Sequence, residues 1–137
     1  MQRRTPLKLK IQIICGNEIA MGPGKADLLE AIAAHRSISA AGRALGMSYR
    51  RTWLLVDTMN RCWAGPLVAT TPGNQKAGAH LTGLGEAILD QYRELQGALE
   101  KASSAKLAAI LSQSLLPAPR PAQRESSTEA DAPSAGP

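Results

Sequence analysis

The sequence predicts a mainly helical α+β domain, and three observations predict it. Residues 7–13 alternate apolar and polar side chains with the period of a strand. Several later segments, from Lys25 to Leu111, repeat apolar residues at helical spacing. Two short β-prone stretches flank a turn-rich tip after Thr70. A chain of 137 residues with 44% hydrophobic content is long enough for one ordinary core of modest size, and too short for an enzyme with a large cleft. Phe is absent and the aromatic residues are Tyr49, Trp53, Trp63 and Tyr92, so aliphatic side chains and alanine must do the packing, which favours helices.

In chain order, Leu7, Leu9, Ile11 and Ile13 alternate with Lys8, Lys10 and Gln12, as in a half-buried strand. Gly16-Asn17 offers a turn, Glu18 to Met21 can return as a second short strand, and Gly22-Pro23-Gly24 closes the extended region. A first helix is expected from Lys25 to about His35, with Leu28, Leu29 and Ile32 inward. A short second helix follows, capped by Ser37 or Ser39 and ending near Leu45-Gly46. The third begins at Ser48 with a buried stripe of Thr52, Leu55, Val56, Met59 and Trp63, and Pro66 bars its extension. Leu67 to Thr70 and Ala77 to Leu81 read as strands around Thr71-Pro72-Gly73-Asn74-Gln75-Lys76, the pattern of a wing. Thr82 can cap a long last helix carrying Leu84, Ile88, Tyr92, Leu95, Leu99 and Ala102, and more weakly Leu107, Ile110 and Leu111. Residues 1–112 are therefore expected to form the domain, with 82–112 as its last helix. Residues 113–137, rich in Pro, Ala and Ser, lack the apolar groups to offset the entropy of ordering, and a disordered tail is expected there.

The charge is unevenly placed. Residues 1–80 carry 11 Lys or Arg against 4 acidic residues, whereas residues 81–137 carry 5 against 7. A positive field concentrated in one half favours a polyanion, because neutralised phosphates release condensed counterions; the plainer alternative is a soluble basic face. Cys15 and Cys62 are isolated in sequence, without CxxC pairing or zinc-ligand spacing, and read as reduced thiols of a cytoplasmic protein. Lys8, Lys10 and Gln12 interrupt the N-terminal apolar stretch too often for a signal peptide, and no segment reaches the roughly 20 apolar residues of a membrane span. No catalytic, cofactor or metal site is expected. Gly24-Lys25 lacks the upstream glycine and the following Ser or Thr of a P-loop, and His35 and His80 stand alone.

Residues 37–59, SISAAGRALGMSYRRTWLLVDTMN continuing to Asn60, meet the steric requirements of a helix-turn-helix. Two helices that cross closely need a very small residue, and Gly42 supplies it. Four residues on, Gly46 permits a sharp turn through positive φ. Ala41, Leu45, Met47 and Leu55 are expected to bury the pair against the first helix. Ser48 caps the next helix, whose first turn carries Tyr49, Arg50 and Arg51, with Leu54, Asp57 and Arg61 continuing the outward face. Arginines so placed can fork onto guanine O6 and N7 or onto phosphates, and Tyr49 can meet a phosphate or a thymine methyl. The alternative for Arg50 and Arg51 is simple solvation. The expected DNA contacts are Ser39, Ser48, Tyr49, Arg50, Arg51 and Leu54, with Asn74, Gln75 and Lys76 on the wing.

With those residues in place, the sequence resembles the N-terminal winged-helix domain of the molybdenum-dependent ModE-type transcriptional regulators. The resemblance covers about residues 7–95 through LKLKI, GPGK followed by LLEAI, SISAAGRALGMSYRRTW, VDTMN and LTGLGEAIL. It implies a winged helix-turn-helix fold with an N-terminal strand or hairpin. It also implies a homodimer formed through the first strand region and the last helix, and double-stranded DNA with a palindromic operator as partner. The wing departs from the family's glycine-rich pattern by reading PGNQKAGAH. Molybdate-binding β-barrel modules continue the family's full-length members, whereas here a Pro-Ala-Ser stretch follows, so a stand-alone DNA-binding form is expected. The rival readings are a winged-helix adaptor that binds protein and a winged helix that binds structured RNA. The basic first turn of the third helix argues against the adaptor, since protein interface cores are depleted of unpaired charge.

Overall fold

The computed structural model describes residues 7–71, 78–107 and 112–122. A hairpin opens the fold: β1 (Ile13–Cys15) and β2 (Glu18–Met21) pair antiparallel around Gly16, whose φ of 61° suits the tight turn. The strand lies later than the expected residues 7–13 and shares only Ile13 with them. Residues 7–13 keep the alternation of half-buried and exposed side chains, but β2 runs out opposite Ile13, where the register shifts, and Pro23 starts a helix two residues beyond Met21.

Helix α1 (Pro23–His35) begins earlier than Lys25, because the fixed φ of Pro23 suits the first turn of a helix and costs it no needed N–H. It buries Ala26, Leu28, Leu29 and Ile32 and ends at Arg36, which adopts a left-handed φ of 59°. Two further helices follow: the short α2 (Ile38–Ala44) and α3 (Tyr49–Cys62), the latter burying Thr52, Val56 and Met59. Trp63 lies one residue past α3 in extended conformation, and its indole N–H donates to the Ala20 carbonyl at 3.2 Å, fastening the end of α3 to β2.

The wing is β3 (Val68–Thr71) and β4 (Gly78–Leu81), paired antiparallel from Val68 with Leu81 to Thr71 with Gly78. Two ties position it. The Ala79 amide donates to the Arg36 carbonyl at 3.0 Å, so the left-handed cap of α1 extends the wing ladder by one bond. Asn60, on the inner side of α3, accepts from the amides of Leu67 and Val68 at 2.8 and 3.0 Å and donates to the Val68 carbonyl at 3.0 Å, which fixes the route from α3 into β3.

Helix α4 (Gly83–Lys106) is capped by Thr82, whose hydroxyl accepts from the Gly85 amide at 2.9 Å and donates to the Pro66 carbonyl at 2.7 Å. Gly85 is required there: a Cβ on it would run into the Leu67 backbone carbonyl. Leu89 and Tyr92 enter the common core with Met21, Leu28, Ile32, Met59 and Leu81, and the Tyr92 hydroxyl donates to the Ile11 carbonyl at 2.6 Å. On the surface, Arg93 reaches back to α1, to Asp27 at 2.8 Å and Glu30 at 2.9 Å. Beyond Tyr92 the apolar stripe emerges: Leu95 is 41% and Leu99 39% exposed. Three helices, a two-stranded wing and a long closing helix form the winged helix-turn-helix that the sequence predicts. By contact density the chain divides at residues 104 and 105; the second unit contains α5 (Ser112–Ser114) and irregular chain to residue 122. Most of the expected tail, and Ile110 and Leu111 of the apolar stripe, lie outside the described residues.

Candidate nucleic-acid interface

Ser37, rather than Ser39, caps α2, its hydroxyl accepting from the Ala40 amide at 3.1 Å; Ser39 sits half-buried in the first turn of α2. Gly42 lies at the crossing of α2 and α3. A Cβ there would overlap the Thr52 hydroxyl and stand 3.0 Å from Thr52 Cβ and Cγ2. Thr52 is fully buried and its hydroxyl donates to the Ser48 carbonyl at 2.8 Å, so it has little freedom to yield. The turn closes with the Met47 amide on the Gly42 carbonyl at 2.8 Å, and Gly46 adopts the left-handed φ of 75° that the turn demands.

Two of the residues expected to bury this pair do so only in part, and one does not. Ala41 is buried, Met47 and Leu55 are half-buried, and Leu45 is 40% exposed. The correction has a local cause: α2 ends at Ala44, and Leu45, as its C-cap at φ −99° and ψ 4°, leaves the helical track that would have aimed it inward.

The Ser48 hydroxyl accepts from the Arg51 amide at 3.1 Å, capping α3 and setting the direction of its first turn. Tyr49, Arg50 and Arg51 are all exposed there, Tyr49 to 67%, and Leu54, 53% exposed, stands one turn on. The structure thus exposes Ser48, Tyr49, Arg50, Arg51 and Leu54 at the start of α3, with Tyr49, Arg50 and Leu54 lining one shared surface and Arg51 set on the side nearer Lys25. Trp53, missed as a surface residue, joins them at 38% exposure, its ring 6.1 Å from that of Tyr49 at 59°. Its signal was present in sequence, since it falls between the inward positions Thr52 and Val56. The wing-tip residues Asn74, Gln75 and Lys76 lie outside the described residues, although β3 and β4 bring the chain to both sides of that tip.

The first turn carries two adjacent cations. Arg61, farther along the outer face, is paired with Asp57 at 2.9 Å; Arg50 and Arg51 form no ion pair among the described residues. Lys25 adds a cation that spacing along the chain did not reveal: partial burial lowers its amine pKa, and the positive charge of Arg51 lowers it further. The two cations lie within electrostatic range of each other, and the Glu18 carboxylate partly offsets them at Lys25. Among the described residues no group of three or more His, Cys, Asp or Glu could hold a metal, and no helix is long and apolar enough to cross a membrane.

The cysteines are not isolated in space. The exposed thiol of Cys15, at the end of β1, stands beside the half-buried thiol of Cys62, the last residue of α3; burial raises the Cys62 pKa and the neighbouring thiol adds to it.

No family model matches the sequence. The molybdenum-pterin-binding protein MopA of Rhodobacter capsulatus is 41% identical over 83 residues, 60% of this chain and 31% of MopA. The transcriptional regulator ModE of Yersinia pestis is 33% identical over 103 residues, 74% of this chain and 38% of that regulator. Among solved structures, a full-length LysR-type regulator, LysG of Corynebacterium glutamicum, overlaps 70% of this chain and 31% of its own at 25% identity, with a TM-score of 0.48. The chain spans about a third of the length of the curated relatives it matches. Over 83 to 103 residues the chain is similar to these molybdenum-pterin-binding and ModE proteins, in keeping with the resemblance carried by SISAAGRALGMSYRRTW.

Proposed function

We propose that this chain is a sequence-specific DNA-binding transcriptional regulator that inserts α3 into the major groove. The observation that carries the reading is the first turn of α3. Tyr49, Arg50 and Arg51 are exposed together directly after the Ser48 cap, on a helix whose crossing with α2 is fixed by Gly42 and Thr52. That is where a helix-turn-helix meets base edges, and an arginine there can bond bidentately to guanine. Ser39 and Ser48 approach the phosphates, and Asn74, Gln75 and Lys76 of the wing tip contact the flanking backbone. The functional domain is residues 1–112, with residues 113–137 a tail that takes no part in reading.

Within the expected segment 82–112, α4 serves as the dimerisation helix. Leu95 and Leu99 continue the α4 stripe beyond the core partly exposed, and a second copy pairs with them, matching the two-fold symmetry of a palindromic operator. The likeness to a molybdenum-pterin-binding protein and to a ModE transcriptional regulator supports genes of molybdate uptake or of molybdoenzymes as the targets, in the cytoplasm.

The test is a gel shift on genomic fragments at rising salt, followed by variants. Arg50→Ala and Arg51→Ala each cost about 1 to 3 kcal/mol and relax preference at one base position where the side chain reads a base. Lys76→Ala weakens all sequences alike. If both arginine variants bind the selected site as the unaltered protein does, α3 is not the reading helix. If no fragment shows salt-sensitive binding, the adaptor reading takes its place.

A further inference from the structure

We infer that Cys15 and Cys62 form a dithiol that closes into an intramolecular disulfide by exchange with a low-molecular-weight disulfide of the glutathione class. The two residues are far apart in sequence, and two independent features of the fold bring them together. Cys15 pairs with Glu18 in the β1–β2 hairpin, and β2 is fastened to the end of α3 by the Trp63 indole on the Ala20 carbonyl at 3.2 Å. Cys62 is the residue before Trp63, so the bond that docks the hairpin also sets the end of α3, with Cys62, against the hairpin that carries Cys15, and the two thiols lie within interaction range of each other. This placement belongs to the fold and does not depend on DNA reading.

The two thiols differ in access, and that difference sets the order of events. Cys15 is exposed whereas Cys62 is half-buried. The Cys15 thiolate attacks one sulfur of the small disulfide; its S–S bond breaks and one thiolate leaves, giving a mixed disulfide on Cys15. The Cys62 thiolate then attacks the Cys15 sulfur, the mixed S–S bond breaks, and the second small thiolate leaves. The protons lost by Cys15 and Cys62 end on the two released thiols. The protein is oxidised by two electrons and the small disulfide is reduced by two, with no other reactant. Burial of Cys62 disfavours its thiolate, so the second step is slower than attack by a free thiol, yet the proximity of the two sulfurs makes it intramolecular.

The experiment incubates the folded, reduced protein with oxidised glutathione and follows intact mass and non-reducing peptide maps, alongside Cys15→Ser and Cys62→Ser. The expected product is protein that has lost two hydrogens and carries a Cys15–Cys62 cross-link, with the mixed disulfide only transient. Cys62→Ser should keep a stable glutathione adduct on Cys15, and Cys15→Ser should be modified at least about tenfold more slowly. The inference is overturned by a stable adduct on the unaltered protein, by thiols that stay free while Cys62→Ser is modified, or by cross-links between chains in place of the internal one. Circular dichroism of each variant establishes that it is folded before its reactivity is compared.

Discussion

Replacing Gly42 by alanine tests the helix crossing that the whole reading surface depends on. On an isolated helix the change would stabilise, since glycine in a helix interior costs about 0.5–1 kcal/mol relative to alanine. In this fold the new methyl overlaps the Thr52 hydroxyl and lies 3.0 Å from Thr52 Cβ and Cγ2. Thr52 is fully buried and β-branched, and rotating it away breaks its 2.8 Å hydrogen bond to the Ser48 carbonyl, a loss of about 1 kcal/mol. Overpacking adds about 1–3 kcal/mol. The balance is a net destabilisation of about 2 kcal/mol. Urea unfolding followed by circular dichroism, at one fixed protein concentration, measures it. The decisive arm is the double variant with Thr52→Ala, which removes Oγ1 and Cγ2 and leaves the Cβ contact. Most of the penalty should vanish, a coupling of about 1–2 kcal/mol. If Gly42→Ala is neutral or stabilising in the Thr52 background, or if the two changes simply add, the close crossing is not what glycine is there for.

Asn60→Ala removes three hydrogen bonds to the α3–β3 connection and strands the amides of Leu67 and Val68, which are buried; a loss of about 2–3 kcal/mol in urea unfolding is expected. Tyr92→Phe should lose about 1 kcal/mol for the bond to the Ile11 carbonyl. It should also change alkaline stability. Burial raises the Tyr92 pKa above the ordinary 10.0, so the folded protein holds that proton longer than the unfolded chain. The stabilisation is complete below about pH 10 and is lost as pH rises through the raised value; a thermal-melt series from pH 8 upward should fall more steeply in the unaltered protein than in Tyr92→Phe. Finally, Leu95→Glu with Leu99→Glu should turn a dimer into a monomer in light scattering at micromolar concentration; a mass already monomeric before substitution would rule out α4 as a dimer helix.

What could be read from sequence was what depends on near neighbours. Gly42, Gly46 and Ser48 are required by the geometry of one turn and the helices on either side of it, and the structure places all three as expected. Thr82 and the wing strands likewise follow from local caps and turns. Features set by distant partners were hidden. The strand expected over residues 7–13 falls instead at Ile13–Cys15, because its place is decided by the pairing with β2 and not by its own alternation. Asn60 carries no special pattern, and its role appears only when β3 folds beneath it. Arg36 in a left-handed conformation, Lys25 beside Arg51, and Cys15 beside Cys62 are each products of segments that meet only in three dimensions. Leu45 failed for another reason: its apolar character was judged without knowing that α2 stops one residue before it.

The charge count gains a different meaning once its partners are known. Read along the chain, the 11 basic residues of the first 80 suggest a broad cationic body. In the fold, Arg61 is matched by Asp57, and in the acidic half Arg93 is matched by Asp27 and Glu30 of α1, which also removes two of the four carboxylates from the basic half's own balance. Exposed ion pairs of this kind add little stability, typically under about 1 kcal/mol each, so their larger effect is on the field. Like Lys8, Lys10, Arg36 and Arg43, the first-turn residues Arg50 and Arg51 of α3 are left without an ion pair among the described residues. Beside those cations stand the exposed rings of Tyr49 and Trp53 and the side chain of Leu54. Charge that attracts phosphate together with apolar surface that fits thymine methyls is what distinguishes a surface able to read sequence from one that only binds polyanions.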